Sequence, residues 1–237
     1  MAMVEVTAPT GPLTMYVAEP ADPGPWPGVV VVHDVAGMCD DLRRQADWLA
    51  GEGFLVAAPD LFDGGTLLRC LRSTFRAYRR RQGRVFDQIE AVRRWLTEQP
   101  SCSGRVGVIG FCIGGDFALL LAPRPGVDAV GANYARVPRD AGAFFEGACP
   151  VVGSYGGRDR SLRGAAARLE AALESTGTPH DVKEYPDAGH AFLNDHGPGE
   201  VPALLQVMGR VTHAEYHESS AQDARRRIVA FLRTHLG

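Results

Sequence analysis

Cys112, Asp159 and His190 are residues whose types and order along the chain can do covalent chemistry together. Cys112 stands in Val106-Gly107-Val108-Ile109-Gly110-Phe111-Cys112-Ile113-Gly114-Gly115. This apolar run closes on Gly-x-Cys-x-Gly and passes at once into Phe117, Leu119, Leu120 and Leu121, the pattern of an apolar helix. The pattern predicts a tight strand-to-helix turn with a nucleophile at its apex, cysteine standing where serine is more usual. Glycines at 110 and 114 answer a turn too close for Cβ atoms. A helix N-terminus also favours a thiolate through its dipole and unpaired N–H groups.

Two partners follow in the order that such a nucleophile requires. The run Pro150 to Tyr155 leads through Gly156-Gly157-Arg158 into Asp159, which places Asp159 just past a strand's carboxyl end. After a helical stretch and the short strand Asp181–Tyr185, the loop Pro186-Asp187-Ala188-Gly189-His190-Ala191-Phe192 carries His190. A thiol is mostly protonated at neutral pH and needs a base within hydrogen-bond reach. His190 can take that proton and later activate water, while Asp159 can fix the imidazole tautomer and stabilise its charged form. Oxyanion donors are expected from the N–H of Ile113, the residue after the nucleophile, and the N–H of Val35, in the loop after Gly28-Val29-Val30-Val31-Val32.

Strand and helix patterns alternate around these residues. Strands are predicted at Leu13–Ala18, Val29–His33, Phe54–Ala58, Val106–Phe111, Val130–Tyr134, Val151–Tyr155 and Val182–Tyr185. Helices are predicted at Leu42–Ala50, Val85–Thr97, Gly115–Ala122, Leu162–Ser175 and Ala221–His235. Such alternation means an α/β protein, a mostly parallel sheet with helices on both faces and an antiparallel leading strand at one edge. No linker or internal repeat divides the chain, so residues 1–237 read as a single domain. A formal charge of −3 favours neither nucleic acid nor a membrane surface as partner. No signal peptide or membrane-spanning run is visible. Five cysteines at scattered spacing suit a cytoplasmic, reducing location. Cys39, Cys70, Cys102 and Cys149 read as packing cysteines. The number of subunits stays open, with a monomer compatible.

Two further segments stand out. Between Gly64 and Phe86 lie seven arginines and, beyond Asp63, no acid before Asp87. Arg69, Arg72, Arg76 and Arg79 fall on one helical face, which reads either as a basic cover over a pocket or as a solvated face. The stretch 201–219 exceeds a simple strand-to-helix connection and holds His213 and His217 four residues apart. Its glutamate is misplaced for a His-Glu-x-x-His zinc motif, so neither metal nor cofactor is expected.

Together, Gly110-Phe111-Cys112-Ile113-Gly114-Gly115, Ala58-Pro59-Asp60-Leu61-Phe62, Asp159 and Ala188-Gly189-His190-Ala191-Phe192 resemble the dienelactone hydrolase family of α/β-hydrolases. The resemblance implies an α/β-hydrolase fold and a Cys112–His190–Asp159 triad that opens small esters or lactones through a thioacyl-enzyme. It further implies an acidic residue after the first core strand that activates the thiol. Here that position holds Asp34, in Asp34-Val35-Ala36-Gly37, one methylene shorter than the family's glutamate. The family also implies a substrate-binding arginine near Arg72 or Arg76, and another four residues after the histidine. Position 194 is Asn194, which can hydrogen-bond substrate but cannot form a charged bidentate clamp. The expected substrate is therefore a small ester or lactone other than dienelactone. Acyl transfer by the same triad, ligand binding on a hydrolase fold and thiol redox sensing are the alternatives.

Overall fold

The computed structural model describes residues 1–62, 76–201, 206, 209 and 212–237. Eight strands form one sheet in the order β1-β2-β4-β3-β5-β6-β7-β8. They are β1 (Ala2–Ala8), β2 (Gly11–Ala18), β3 (Trp26–Val32), β4 (Leu55–Pro59), β5 (Cys102–Phe111), β6 (Ala129–Asn133), β7 (Val151–Gly156) and β8 (His180–Tyr185). β1 and β2 pair antiparallel, and β2 joins β4 antiparallel. From β4 to β8 every pairing is parallel. The protein has an α/β-hydrolase fold. The predicted strands are all present, with ends moved by at most four residues. β1 was not foreseen, because Glu5 and Thr7 on its exposed side leave a weak apolar signal.

The described helices are α1 (Asp40–Gly51), α2 (Arg84–Glu98), α3 (Ile113–Leu121), the short α4 (Ala141–Phe144), α5 (Ala165–Ser175) and α6 (Glu218–Leu236). Residues 106–111 of β5 are buried without alternation, as a strand covered on both faces must be. The helix expected over Leu162–Ser175 divides in two. Arg160–Leu162 forms a 3-10 turn capped by the Asp159 side chain, and Gly164, at φ 68°, separates it from α5. Arg72 lies outside the described residues. Arg76 opens the helical stretch 76–80 and is exposed. No helix among the described residues is long and apolar enough to cross a membrane.

A single residue, Cys112, connects β5 to α3. Cys112 adopts φ 53°, ψ −117°, and its carbonyl accepts the Asp116 N–H at 3.1 Å to start α3. A Cβ on Gly110 would lie 2.0 Å from the Gly114 carbonyl oxygen, and one on Gly114 2.3 Å from that of Val32. Both obstacles are backbone atoms that no rotamer change can move. Gly114→Ala is expected to destabilise the fold by at least about 3 kcal/mol or to stop soluble accumulation. Urea denaturation against wild type reads the difference.

Candidate active site

All the residues singled out by sequence as a reacting group lie at the carboxyl ends of parallel strands, where such a sheet presents its functional loops. Cys112 follows β5, Asp159 follows β7 and His190 follows β8. The three meet although up to 78 residues separate them: His190 Nε2 stands 3.1 Å from Cys112 Sγ, and His190 Nδ1 stands 2.6 Å from Asp159 Oδ2. The other Asp159 oxygen accepts the Ser161 N–H at 2.9 Å and the Ser161 hydroxyl at 2.6 Å. Capping the 3-10 turn thus leaves one carboxylate oxygen aimed at the imidazole.

Electrostatics follow from this packing. Burial alone would lower the pKa of His190, but the charge on Cys112 and the hydrogen bonds to Asp159 and Cys112 outweigh it and raise the value. Burial alone would raise Asp159, but its hydrogen bonds from His190 and Ser161 hold it below the ordinary carboxylate range. Both shifts favour the charged imidazole beside the Asp159 carboxylate.

Backbone packing orients the histidine. The His190 N–H donates to the Thr212 carbonyl at 3.0 Å, and a Cβ on Gly189 would lie 1.9 Å from the His213 carbonyl oxygen. Thr212 and His213 thus lie against the histidine loop. His217 precedes α6 with its ring 2.8 Å from Ser220 Oγ, and His213 turns the chain at φ 51°.

A cavity of about 860 Å³ opens over the row. Val35, Ile113, Leu162, Val201 and Tyr216 give it apolar walls, and Cys112 and His190 form part of its floor. Ile113 is the first residue of α3, so its N–H has no intrahelical partner. Val35 enters the wall through a turn that Asp34 Oδ1 closes by accepting the Ala36 N–H at 2.7 Å.

Asp34 and Asn194 occupy places that their expected roles did not foresee. The hydrogen bonds of Asp34 run to Ala36 and to His196 Nε2, the latter at 2.8 Å, rather than to the Cys112 thiol. This contact raises the pKa of His196 although burial alone would lower it. Asn194 lies in the cavity wall, but its amide is engaged behind it. Its oxygen accepts the Tyr134 hydroxyl, and its nitrogen donates to Asp41 Oδ2 at 2.6 Å. The Tyr134 ring in turn packs 5.1 Å from the His190 ring, centre to centre. Sequence reasoning missed Tyr134 and Arg136, both just past β6. Arg136 lines the cavity and holds the buried Asp116 by Nε at 2.8 Å. Their sequence signal is only their position after a parallel strand.

The dienelactone hydrolase family profile matches residues 13–236. The chain belongs to the dienelactone hydrolase family. It is 28% identical over 193 residues to carboxymethylenebutenolidase of Pseudomonas putida, an alignment covering 77% of this chain and 82% of that protein. Among solved structures it is similar to a dienelactone hydrolase-like promiscuous phosphotriesterase from metagenomic libraries. That match has TM-score 0.78 and 21% identity, and covers 100% of this chain and 98% of the other. A thermophilic esterase of Thermogutta terrifontis, solved with propionate, matches at TM-score 0.67 and 15% identity over 98% and 93% of the two chains. At these identities the two structures bear on the fold.

Two outcomes test the local energetics. Asn194→Leu would leave the Tyr134 hydroxyl and Asp41 Oδ2 without this partner in the interior, although Asp41 Oδ1 keeps the Asp195 N–H, and is expected to cost about 2–4 kcal/mol in urea denaturation. The folded-state pKa of Asp159 is depressed, so its stabilisation is present above the ordinary value near about 4 and is lost as pH falls through the folded value. For His190, raised in the fold, the contribution is present below about pH 6.5 and is lost as pH rises through its folded value. Asp159→Asn should flatten the acid limb of stability against pH, read by denaturation at stepped pH.

Proposed function

We propose that this protein is a cysteine-dependent hydrolase of small carboxylic esters or lactones. The observation that carries the proposal is the unbroken Cys112–His190–Asp159 row, at 3.1 and 2.6 Å, beneath a mainly apolar cavity. The name of the Pseudomonas putida relative, carboxymethylenebutenolidase, supports opening of an ester or lactone bond.

In this reading the Cys112 thiolate attacks the substrate carbonyl carbon, and the carbonyl π electrons move onto oxygen. The N–H groups of Ile113 and Val35 stabilise that oxyanion as charge develops. The intermediate collapses by breaking the C–O bond, and the His190 imidazolium protonates the departing alkoxide. A thioester on Cys112 remains. Water then attacks its carbonyl while His190, now neutral, accepts the water proton. The second collapse expels the thiolate and releases the acid, with Asp159 holding the imidazole in the required tautomer throughout.

Charge in the described wall bears on the substrate. Arg136 is paired with Asp116 and His196 with Asp34, so both cations already face carboxylates. Asn194 is committed to Tyr134 and Asp41. These pairings favour an uncharged ester or lactone over one that carries its own carboxylate. A panel of p-nitrophenyl esters and unsaturated lactones tests the proposal. Wild type should turn over neutral members with higher kcat/KM than carboxylate-bearing ones. Cys112→Ala should lose at least about 10³-fold in kcat. Turnover that survives in Cys112→Ala would refute the nucleophile, and a preference for carboxylate-bearing lactones would refute the substrate class.

A further inference from the structure

Beside the Cys112 row the structure holds another thiol, imidazole and carboxylate in sequence. Cys39 Sγ lies 4.0 Å from His196 Nδ1, and His196 Nε2 lies 2.8 Å from Asp34 Oδ2. The two rows differ in what they bring to the thiol. At Cys112 the imidazole stands close, at 3.1 Å, with the geometry of proton transfer. At Cys39 the separation is longer and a further anionic donor enters: Glu200 Oε2, 3.6 Å from His196 Nδ1. The Cys39, His196 and Glu200 donor atoms all lie within 4.8 Å of one another. A nucleophile has no use for the extra carboxylate, whereas a metal ion does.

We propose that Cys39, His196 and Glu200 form a site for a divalent transition-metal ion of the zinc class. Zinc–sulfur and zinc–nitrogen bonds of about 2.3 and 2.0 Å put tetrahedral ligand atoms roughly 3.3–3.6 Å apart. The Cys39–His196 and His196–Glu200 separations, 4.0 and 3.6 Å, need to close by about half an ångström or less, and Cys39 and Glu200, within 4.8 Å of each other, by no more than about 1.3 Å. A thiolate with an imidazole and one carboxylate suits zinc or cobalt and is too soft for calcium or magnesium. Asp34 supplies what a ligating histidine requires on its far side, a carboxylate that accepts the Nε2 proton and turns the Nδ1 lone pair toward the ion. The geometry therefore gives Asp34 a role at His196. The charge favours a cation. A thiolate, Glu200 and Asp34 carry three negative charges, which Arg44, 3.7 Å from Glu200 and shared with Asp41, offsets only in part.

The site is built in advance. Cys39 is the residue before α1, and Glu200 accepts the Asp40 N–H at 3.0 Å and the Gly197 N–H at 2.7 Å, each oxygen keeping lone pairs for a further bond. The side chains of His196 and Glu200 are 16% and 14% exposed, so an ion can enter while bulk water is mostly excluded. On binding, the Cys39 thiol and the His196 imidazolium each release a proton to solvent, and the sulfur and Nδ1 lone pairs so freed form the metal bonds. His196 also lines the cavity, so the ion would tie the 193–201 segment to the start of α1 at the cavity edge.

Cobalt(II) titration tests the site, because a cobalt–thiolate bond has its own charge-transfer absorption. Cys112→Ala serves as the parent, so that the other thiol cannot contribute. The expected result is one cobalt per chain with the thiolate band, displaced by zinc. The band should vanish in Cys112→Ala/Cys39→Ala, and affinity should weaken about 10-fold or more in Cys112→Ala/Glu200→Gln. Circular dichroism of each variant confirms that the fold is kept. Absence of the band in the parent, or its persistence without Cys39, would overturn the proposal. Neither outcome touches the hydrolase reading, which the ester panel tests separately.

Discussion

Contact between backbone atoms at the β5–α3 turn is the constraint on which the rest of the site depends. β3 and β5 are hydrogen-bonded neighbours, and α3 starts so close to both that the Val32 carbonyl leaves no room for a side chain at Gly114. That closeness holds Cys112 at positive φ, a conformation an L-residue keeps only when its surroundings impose it. It also puts Cys112 and Ile113 in the wall of one cavity. The conformational cost at a single residue is offset by the packed sheet on either side of it.

The polar residues around that turn divide into closed sets. Asp159 serves Ser161 and His190. Asp116 serves Arg136, Asp34 serves His196, and Asp41 serves Asn194. Burying a carboxylate without a partner is costly, and here each has one of suitable chemistry. The Asp159 and Asp34 pairs both terminate on an imidazole that faces a thiol. Only the distance to the sulfur and the presence of Glu200 distinguish the two rows.

Sequence read most clearly where local rules govern. The strands of the parallel core are long apolar runs, and the glycines flanking Cys112 report a turn whose sterics involve neighbours in sequence. Asp159 and His190 were legible because a parallel sheet delivers the ends of successive strands to one edge. Asp34 was not, since its partner His196 lies 162 residues away and nothing local marks the pairing. Asn194 misled for a similar reason. Its position relative to His190 suggests contact with substrate, whereas Tyr134 and Asp41 reach it from behind the wall. Cys39 read as packing because a cysteine beside a helix start carries no sign of a histidine arriving from a distant loop. Of the arginine pair, Arg76 is an exposed helical residue and Arg72 falls outside the described residues.

His190 is held in part by the carbonyl of Thr212, and Gly189 fits only because the chain at His213 passes directly over it. Thr212 also lines the cavity, close in sequence to Ala214, Glu215 and Tyr216, which do the same. The part of the chain that shapes the opening is thus also the strut for His190. Divergence that remodels this segment for a new guest molecule will displace the imidazole as well. Changes of preference in such a scaffold should therefore arrive together with changes of speed, and lineages that broaden their diet would need compensating substitutions around position 189 to recover it.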